Sequence, residues 1–178
     1  MSGILVNQPF IETARLQLRP PRPADAEALW TLTSDPRVAR ATRSIPHPLP
    51  EGAVDAFIAR SAHPERTEDA WIMDGSRSDL PEVAGVVALT PMDRAQSEIA
   101  YWVAPDLWNT GLASEAVGAL LEANPQDCAT VFASVFQDNP ISARVLTNAG
   151  FAYIGDAEAL CAARGGAVPT WTYLRRMR

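Results

Sequence analysis

The sequence predicts an α+β fold, a mixed and mostly antiparallel central sheet with flanking helices. Three observations point there. Strand-like segments cluster between Ala70 and Val103 instead of alternating with helices, which argues against a regular doubly wound sheet. One strand–helix–strand unit, SEIAYWV through LASEAVGALLEA to TVFASV, supplies a single parallel crossover. The chain has 178 residues, and at roughly 150 residues per domain it makes one domain.

Each element has a local reason. Ala14 to Arg19 (ARLQLR) alternates apolar and polar residues and reads as a strand that Pro20-Pro21 stops. Pro23-Ala24-Asp25 opens a helix, with proline and an acid where the first turn favours them. Leu29 and Leu32 form part of its apolar face, and Asp35-Pro36 ends it. From Ser44 to Pro50 (SIPHPLP) proline recurs at alternate positions, which forces an extended loop. Val54, Phe57 and Ile58 share one stripe of a second helix. Ala70 to Met73, Glu82 to Thr90, Ser97 to Val103 and Thr130 to Val135 are strands, and Leu112 to Ala123 is a helix ended by Asn124-Pro125. Asn139 to Asn148 forms a short helix closed by Gly150 as a left-handed cap. Phe151 to Ile154 and Thr170 to Leu174 finish the sheet as a strand pair.

Composition narrows the function classes. A hydrophobic fraction of 47% with 20% charged residues is globular rather than disordered. No apolar run approaches the length of a membrane span, and MSGILVNQPFIE lacks the basic flank and apolar core of a signal peptide, so a cytoplasmic location is expected. All 15 basic residues are arginine, against 21 acidic ones, for a net charge of -6. Such a chain is poorly suited to nucleic acid or anionic membrane. Cys128, Cys161, His47 and His63 have no metal-ligand spacing, so no metal is expected.

The joint Asn109-Thr110-Gly111-Leu112-Ala113-Ser114 carries the first chemical signal. A glycine followed by small residues at a helix start leaves backbone N–H groups reachable, and with the helix dipole they form an anion site. A glycine that merely permits a tight turn is the competing reading. The joint lacks the Gly-Lys-Ser/Thr ending of a Walker loop, which argues against a nucleotide-phosphate enzyme.

The surrounding segments resemble a known family. AYWVAPDLWNTGLASEAVGALL resembles the acetyl-CoA-binding motif of the GNAT acetyltransferases, and NPISARVLTNAGF the motif that follows it. ETARLQLRPPRPADAEALWTL and IPHPLPEGAVDAFI resemble the N-terminal half of the branch typified by ribosomal-protein N-terminal acetyltransferases. These pieces stand in the family's order from about Glu12 to about Leu174.

The resemblance implies an acyl-CoA N-acyltransferase fold, acetyl-CoA as cosubstrate and an amine acceptor, either a protein N-terminus or a small amine. The pantetheine arm would pair with the backbone of Tyr101, Trp102 and Val103. The pyrophosphate would rest on Asn109, Thr110, Gly111, Leu112, Ala113 and Ser114, with Asn139 and Ser142 touching the cofactor. The family's basic residues are missing at Thr110 and Asn148. Arg144 is the candidate replacement, and weaker CoA binding than is usual for the family is expected.

Acetyl transfer needs a neutral amine, and a carboxylate is suited to taking its proton. Glu98 stands where this branch supplies a glutamate; a carboxylate on a solvated strand face is the alternative. The tyrosine that many relatives use as an acid is replaced by Leu146, which leaves Ser142 either to relay a proton to sulfur or only to touch the cofactor. His47 is a further candidate for the acceptor pocket. The leading reading is an acetyl-CoA-dependent N-acetyltransferase, acting as a monomer or homodimer. A non-catalytic acyl-CoA-binding or interaction protein on the same fold is the alternative.

Overall fold

A computed structural model describes residues 8–177. Most of the opening segment read for a signal peptide, residues 1–7, lies outside the described residues. The strands are β1 (Ile11–Glu12), β2 (Gln17–Arg19), β3 (Asp69–Asp74), β4 (Gly85–Met92), β5 (Gln96–Val103), β6 (Thr130–Phe136), β7 (Ala152–Cys161) and β8 (Gly166–Arg176). The α-helices are α1 (Ala26–Thr33), α2 (Pro36–Ala39), α3 (Ala53–Ala62), α4 (Leu112–Ala123) and α5 (Pro140–Asn148). The strands form one sheet in the order β1-β2-β3-β4-β5-β6-β8-β7, antiparallel everywhere except between β5 and β6.

Of the strand expected from Ala14 to Arg19 only Gln17–Arg19 is extended and paired, and a short strand that the sequence did not show, Ile11–Glu12, precedes it. Thr13 donates its backbone N–H to the Leu16 carbonyl, while its Oγ1 accepts from the Leu16 N–H, and this turn pairs Ile11 with Leu18. Asp35-Pro36 ends one helix and starts another. Asp35 accepts a hydrogen bond from the Arg37 backbone N–H, and proline occupies the first turn of α2, where its missing N–H costs nothing. The final hairpin is longer than its apolar pattern suggests. β7 is an exposed edge strand, so Asp156-Ala157-Glu158-Ala159 holds its conformation by pairing with β8 rather than by burial.

Each face of the sheet carries its own core. Leu112, Val117 and Leu120 of α4 and Leu146 of α5 pack with Ile99 and Val103 on one face. Leu29 of α1 and Val54 and Ile58 of α3 cover Ile72, Val86 and Ala88 on the other. Strand alternation divides β5 between these layers. The β4–β5 register runs without a bulge from Gly85↔Val103 to Met92↔Gln96, so Glu98, Ala100 and Trp102 share the α1/α3 face. At one end of the sheet a buried Arg19 guanidinium joins Asp25 and Asp74, all three side chains at most 8% exposed.

Candidate active site

The site begins where the sheet comes apart. β5 and β6 pair in parallel over only Gln96–Glu98 and Thr130–Phe132. Beyond Glu98 the β5 edge facing β6 has no strand partner, so backbone groups between Ile99 and Val103 can receive an added extended chain. Trp108 closes the end of this edge, with its indole N–H donating to the Val103 carbonyl at 2.9 Å.

Two clefts open on this gap. The first, of about 810 Å³, is lined by every residue that the sequence assigned to cofactor contact: Tyr101, Trp102, Val103, Asn109 through Ser114, Asn139, Ser142 and Arg144. Asn109 and Gly111 have φ of 64° and 83°, and this double left-handed turn leads the chain into α4. No side chain caps the start of α4, so its first N–H groups remain available to an anion. Thr110 brings no charge, and its hydroxyl donates to the Leu107 carbonyl at 2.5 Å. Glu115, in the first turn of α4, takes Thr13 Oγ1 and both the backbone N–H and Nε of Arg15. Burial raises the Glu115 carboxyl, but these donors outweigh it and hold the group below its ordinary range.

The cations missing from Thr110 and Asn148 arrive from elsewhere in the fold. Arg37 and Arg40 from α2 and its end, Arg144 on α5, and Arg164 beyond β7 all line this cleft, with Asp138 as the one acid in its lining. Arg37 pairs with Asp35 and Arg164 with Asp138; Arg40 acts on Asp138 only at longer range, and Arg144 has no acidic partner among the described residues. The sequence offered Arg144 alone for this purpose.

The second cleft, of about 830 Å³, lies on the α1/α3 side and holds Glu98. Glu98 forms an ion pair with Arg43, the two side chains being 26% and 44% exposed. The sequence did not anticipate this partner. Ile45, Pro46 and Leu49 of the proline-rich loop line the cleft, but His47 is exposed and stands outside the lining.

A strap separates the two openings. The Ala162 N–H donates to the Arg43 carbonyl at 2.9 Å, the Cys161 thiol to the Thr42 carbonyl at 3.2 Å, and Arg164 Nη2 to the Arg40 carbonyl at 2.7 Å. The β7–β8 turn is thereby bound to the segment after α2. Cys161, for which the sequence excluded only a metal-ligand role, has a structural contact here.

The clefts meet at Ala41, Tyr101, Trp102, Asn139 and Ser142. Asn139 caps α5 by accepting from the Ser142 N–H. The Tyr101 hydroxyl donates to the Ser142 carbonyl at 2.9 Å and accepts from Ser142 Oγ at 3.0 Å. Burial pushes the phenol up to about 12, despite the opposing Ser142 hydrogen bond. Leu146 is fully buried and contributes packing only.

Residues 15–152 match the family described as the acetyltransferase (GNAT) domain. The chain belongs to this family. It is 30% identical over 149 residues to the uncharacterized N-acetyltransferase YoaA of Bacillus subtilis (strain 168), covering 80% of this chain and 82% of that one. Its fold is similar to Mycobacterium smegmatis RimJ in complex with CoA-disulfide (TM-score 0.80, 17% identity, 96% and 88% of the two chains). It is also similar to the microcin C7 self immunity acetyltransferase MccE in complex with acetyl-CoA and AMP (TM-score 0.77, 19% identity, 98% and 96% of the chains). The GNAT fold thus accounts for the interrupted β5–β6 pair and the Gly111 loop together.

Proposed function

We propose that this GNAT domain transfers an acetyl group from acetyl-CoA to an amine acceptor, a protein N-terminus or a small amine, by direct attack in a ternary complex. The observation that carries the reading is the meeting of two clefts at Tyr101, Trp102, Asn139 and Ser142, with Glu98 in the cleft opposite the Gly111 loop. The residues present fit the cosubstrate. Uncapped N–H groups at Leu112–Ser114, with Arg40 and Arg144, suit its phosphates, and the unpaired β5 edge suits an extended amide-bearing arm.

Bound acetyl-CoA supplies an activated thioester. Glu98 accepts the proton of the attacking amine, directly or through water, and a backbone N–H of β5 polarises the carbonyl oxygen. As the N–C bond forms and the C–S bond breaks, the electron pair leaves on sulfur. Ser142 stands at the junction to hydrogen-bond that sulfur. A thiol pKa near 8.5 means the departing thiolate is already a competent leaving group, so a hydrogen bond serves where a full proton transfer is not required. The unpaired, buried thiols of Cys128 and Cys161 suit a cytoplasmic setting.

The test is a panel of amines and N-terminal peptides incubated with acetyl-CoA, with release of free thiol detected and CoA binding followed by calorimetry. Acetylation of at least one amine is expected. CoA binding without any transfer would make the protein a binder on the same fold, and no CoA binding at millimolar ligand would remove the assignment.

A further inference from the structure

The acceptor cleft holds an ion pair that an amine must disturb. Arg43, with its side chain 44% exposed, and Glu98, 26% exposed, share one contact, and an incoming ammonium group competes with the guanidinium for that carboxylate. Arg43 cannot simply withdraw with its backbone, because its carbonyl is tied to the Ala162 N–H and the neighbouring Thr42 carbonyl to the Cys161 thiol. An acceptor with no charge besides its amine would take the carboxylate from the guanidinium and stand beside it as a second cation, and like charges in contact disfavour each other.

We propose that the preferred acceptor is a zwitterion, an α-amino acid whose amine meets Glu98, whose carboxylate meets Arg43 and whose apolar side chain fills the rest of the cleft. This rests on the acetyl-transfer reading and names its substrate class. Both charges of the Arg43–Glu98 pair then exchange one partner for another, and neither is left alone. A second cation, Arg60, lines the same cleft without an acidic partner among the described residues and packs 5.9 Å from the Phe57 ring centre. The remaining acids of the lining, Glu68 and Glu158, are exposed, and Glu68 accepts from the Thr90 hydroxyl. Leu29, Val54, Phe57 and Trp102 supply an apolar wall. A polyamine would add cations beside Arg43, and a peptide N-terminus would offer it a neutral carbonyl.

The chemistry balances. The α-ammonium loses one proton to Glu98, the neutral amine forms the N–C bond as the thioester C–S electron pair leaves on sulfur, and the second nitrogen proton passes to the thiolate. The products are an N-acetyl amino acid and the CoA thiol, and Glu98 returns its proton to solvent.

The experiment compares L-leucine, L-leucinamide and spermidine as acceptors. The expected result is a kcat/KM for leucine about 10- to 100-fold above that for leucinamide, the range of one charge-assisted contact. Arg43→Gln should bring that ratio close to one, and Arg43→Lys should restore part of it. Calorimetric binding of the same compounds to the CoA-saturated protein gives a second readout, so a chain that acetylates none of the three still answers the question of specificity, and the wider panel of amines and peptides decides the enzymatic reading separately. Leucinamide or spermidine equal to or better than leucine in the wild type overturns the proposal, as does an unchanged ratio in folded Arg43→Gln.

Discussion

Tyr101 on β5 and Ser142 on α5 form a reciprocal pair, in which the phenol donates to the serine carbonyl and accepts the serine's hydroxyl proton. The pair ties β5 to α5 where both clefts converge. The Ser142 hydroxyl donates to Tyr101, so to donate to sulfur it must turn away, and the phenol is then free to exchange the carbonyl for Ser142 Oγ as its acceptor.

That exchange makes Tyr101 a positioning residue, and Tyr101→Phe should lower kcat by roughly 10-fold, the effect of one neutral hydrogen bond. CoA affinity should change less than about threefold, on the scale of a few tenths of a kcal/mol. Because burial holds the phenol at about 12, it stays protonated at neutral pH. A kcat–pH profile measured to pH 10 should therefore show no loss of activity traceable to Tyr101. An alkaline limb present in wild type and absent in the phenylalanine variant would contradict this assignment.

Glu98→Gln keeps the shape of the side chain and removes its basicity. Turnover should fall by about 10²- to 10⁴-fold, the usual contribution of a positioned base, with CoA binding nearly unaltered. Steady-state kinetics beside calorimetry separates the two effects. Near-wild-type turnover across pH would take Glu98 out of the mechanism.

Arg40 and Arg144 line the cleft at the Gly111 loop and form no ion pair among the described residues, so each is free to meet a phosphate. Arg40→Ala and Arg144→Ala should each weaken CoA binding by roughly 10-fold, the value of a charge-assisted hydrogen bond. The loss should shrink as salt rises, since exposed charges are screened. Calorimetry at low and high ionic strength checks this, and salt-independent affinity in the wild type would count against it.

Stability centres on Arg19, which is 1% exposed and bonded to both Asp25 and Asp74. Arg19→Met would bury two carboxylates without their cation and should destabilise the protein by about 3–5 kcal/mol. Burial alone would raise Asp74, but hydrogen bonds from Arg19 and Ser76 outweigh it and lower the group from 3.8. A depressed carboxylate adds stability above its unfolded pKa and loses it as pH falls through the folded one. Denaturant titrations should thus show wild-type stability falling below about pH 4, and a smaller fall over that range in the Arg19 variant.

Much of the candidate site was legible because it is local. The tight turn at Gly111 and the open start of α4 depend on residues a few positions apart, where backbone preferences act directly. Strand alternation likewise put Glu98 and Trp102 on one face, and the bulge-free β4–β5 register keeps them there. The overall sheet followed from the order of elements, although β1, α2 and the length of the last hairpin did not, since these depend on a turn, a cap and a pairing partner rather than on apolar periodicity.

What the tertiary structure alone decided is which charges meet. Arg43 reaches Glu98 across 55 positions, Tyr101 reaches Ser142 across 41, and Arg164 reaches the Arg40 carbonyl across 124. No spacing rule encodes such encounters, because they depend on sheet register, on where β5 parts from β6 and on the strap that spans the gap. The amino-acid sequence determined the fold class and singled out residues that the fold gathers around one cleft. Packing determined where that cleft draws its positive charge, and it gave the candidate base an arginine partner.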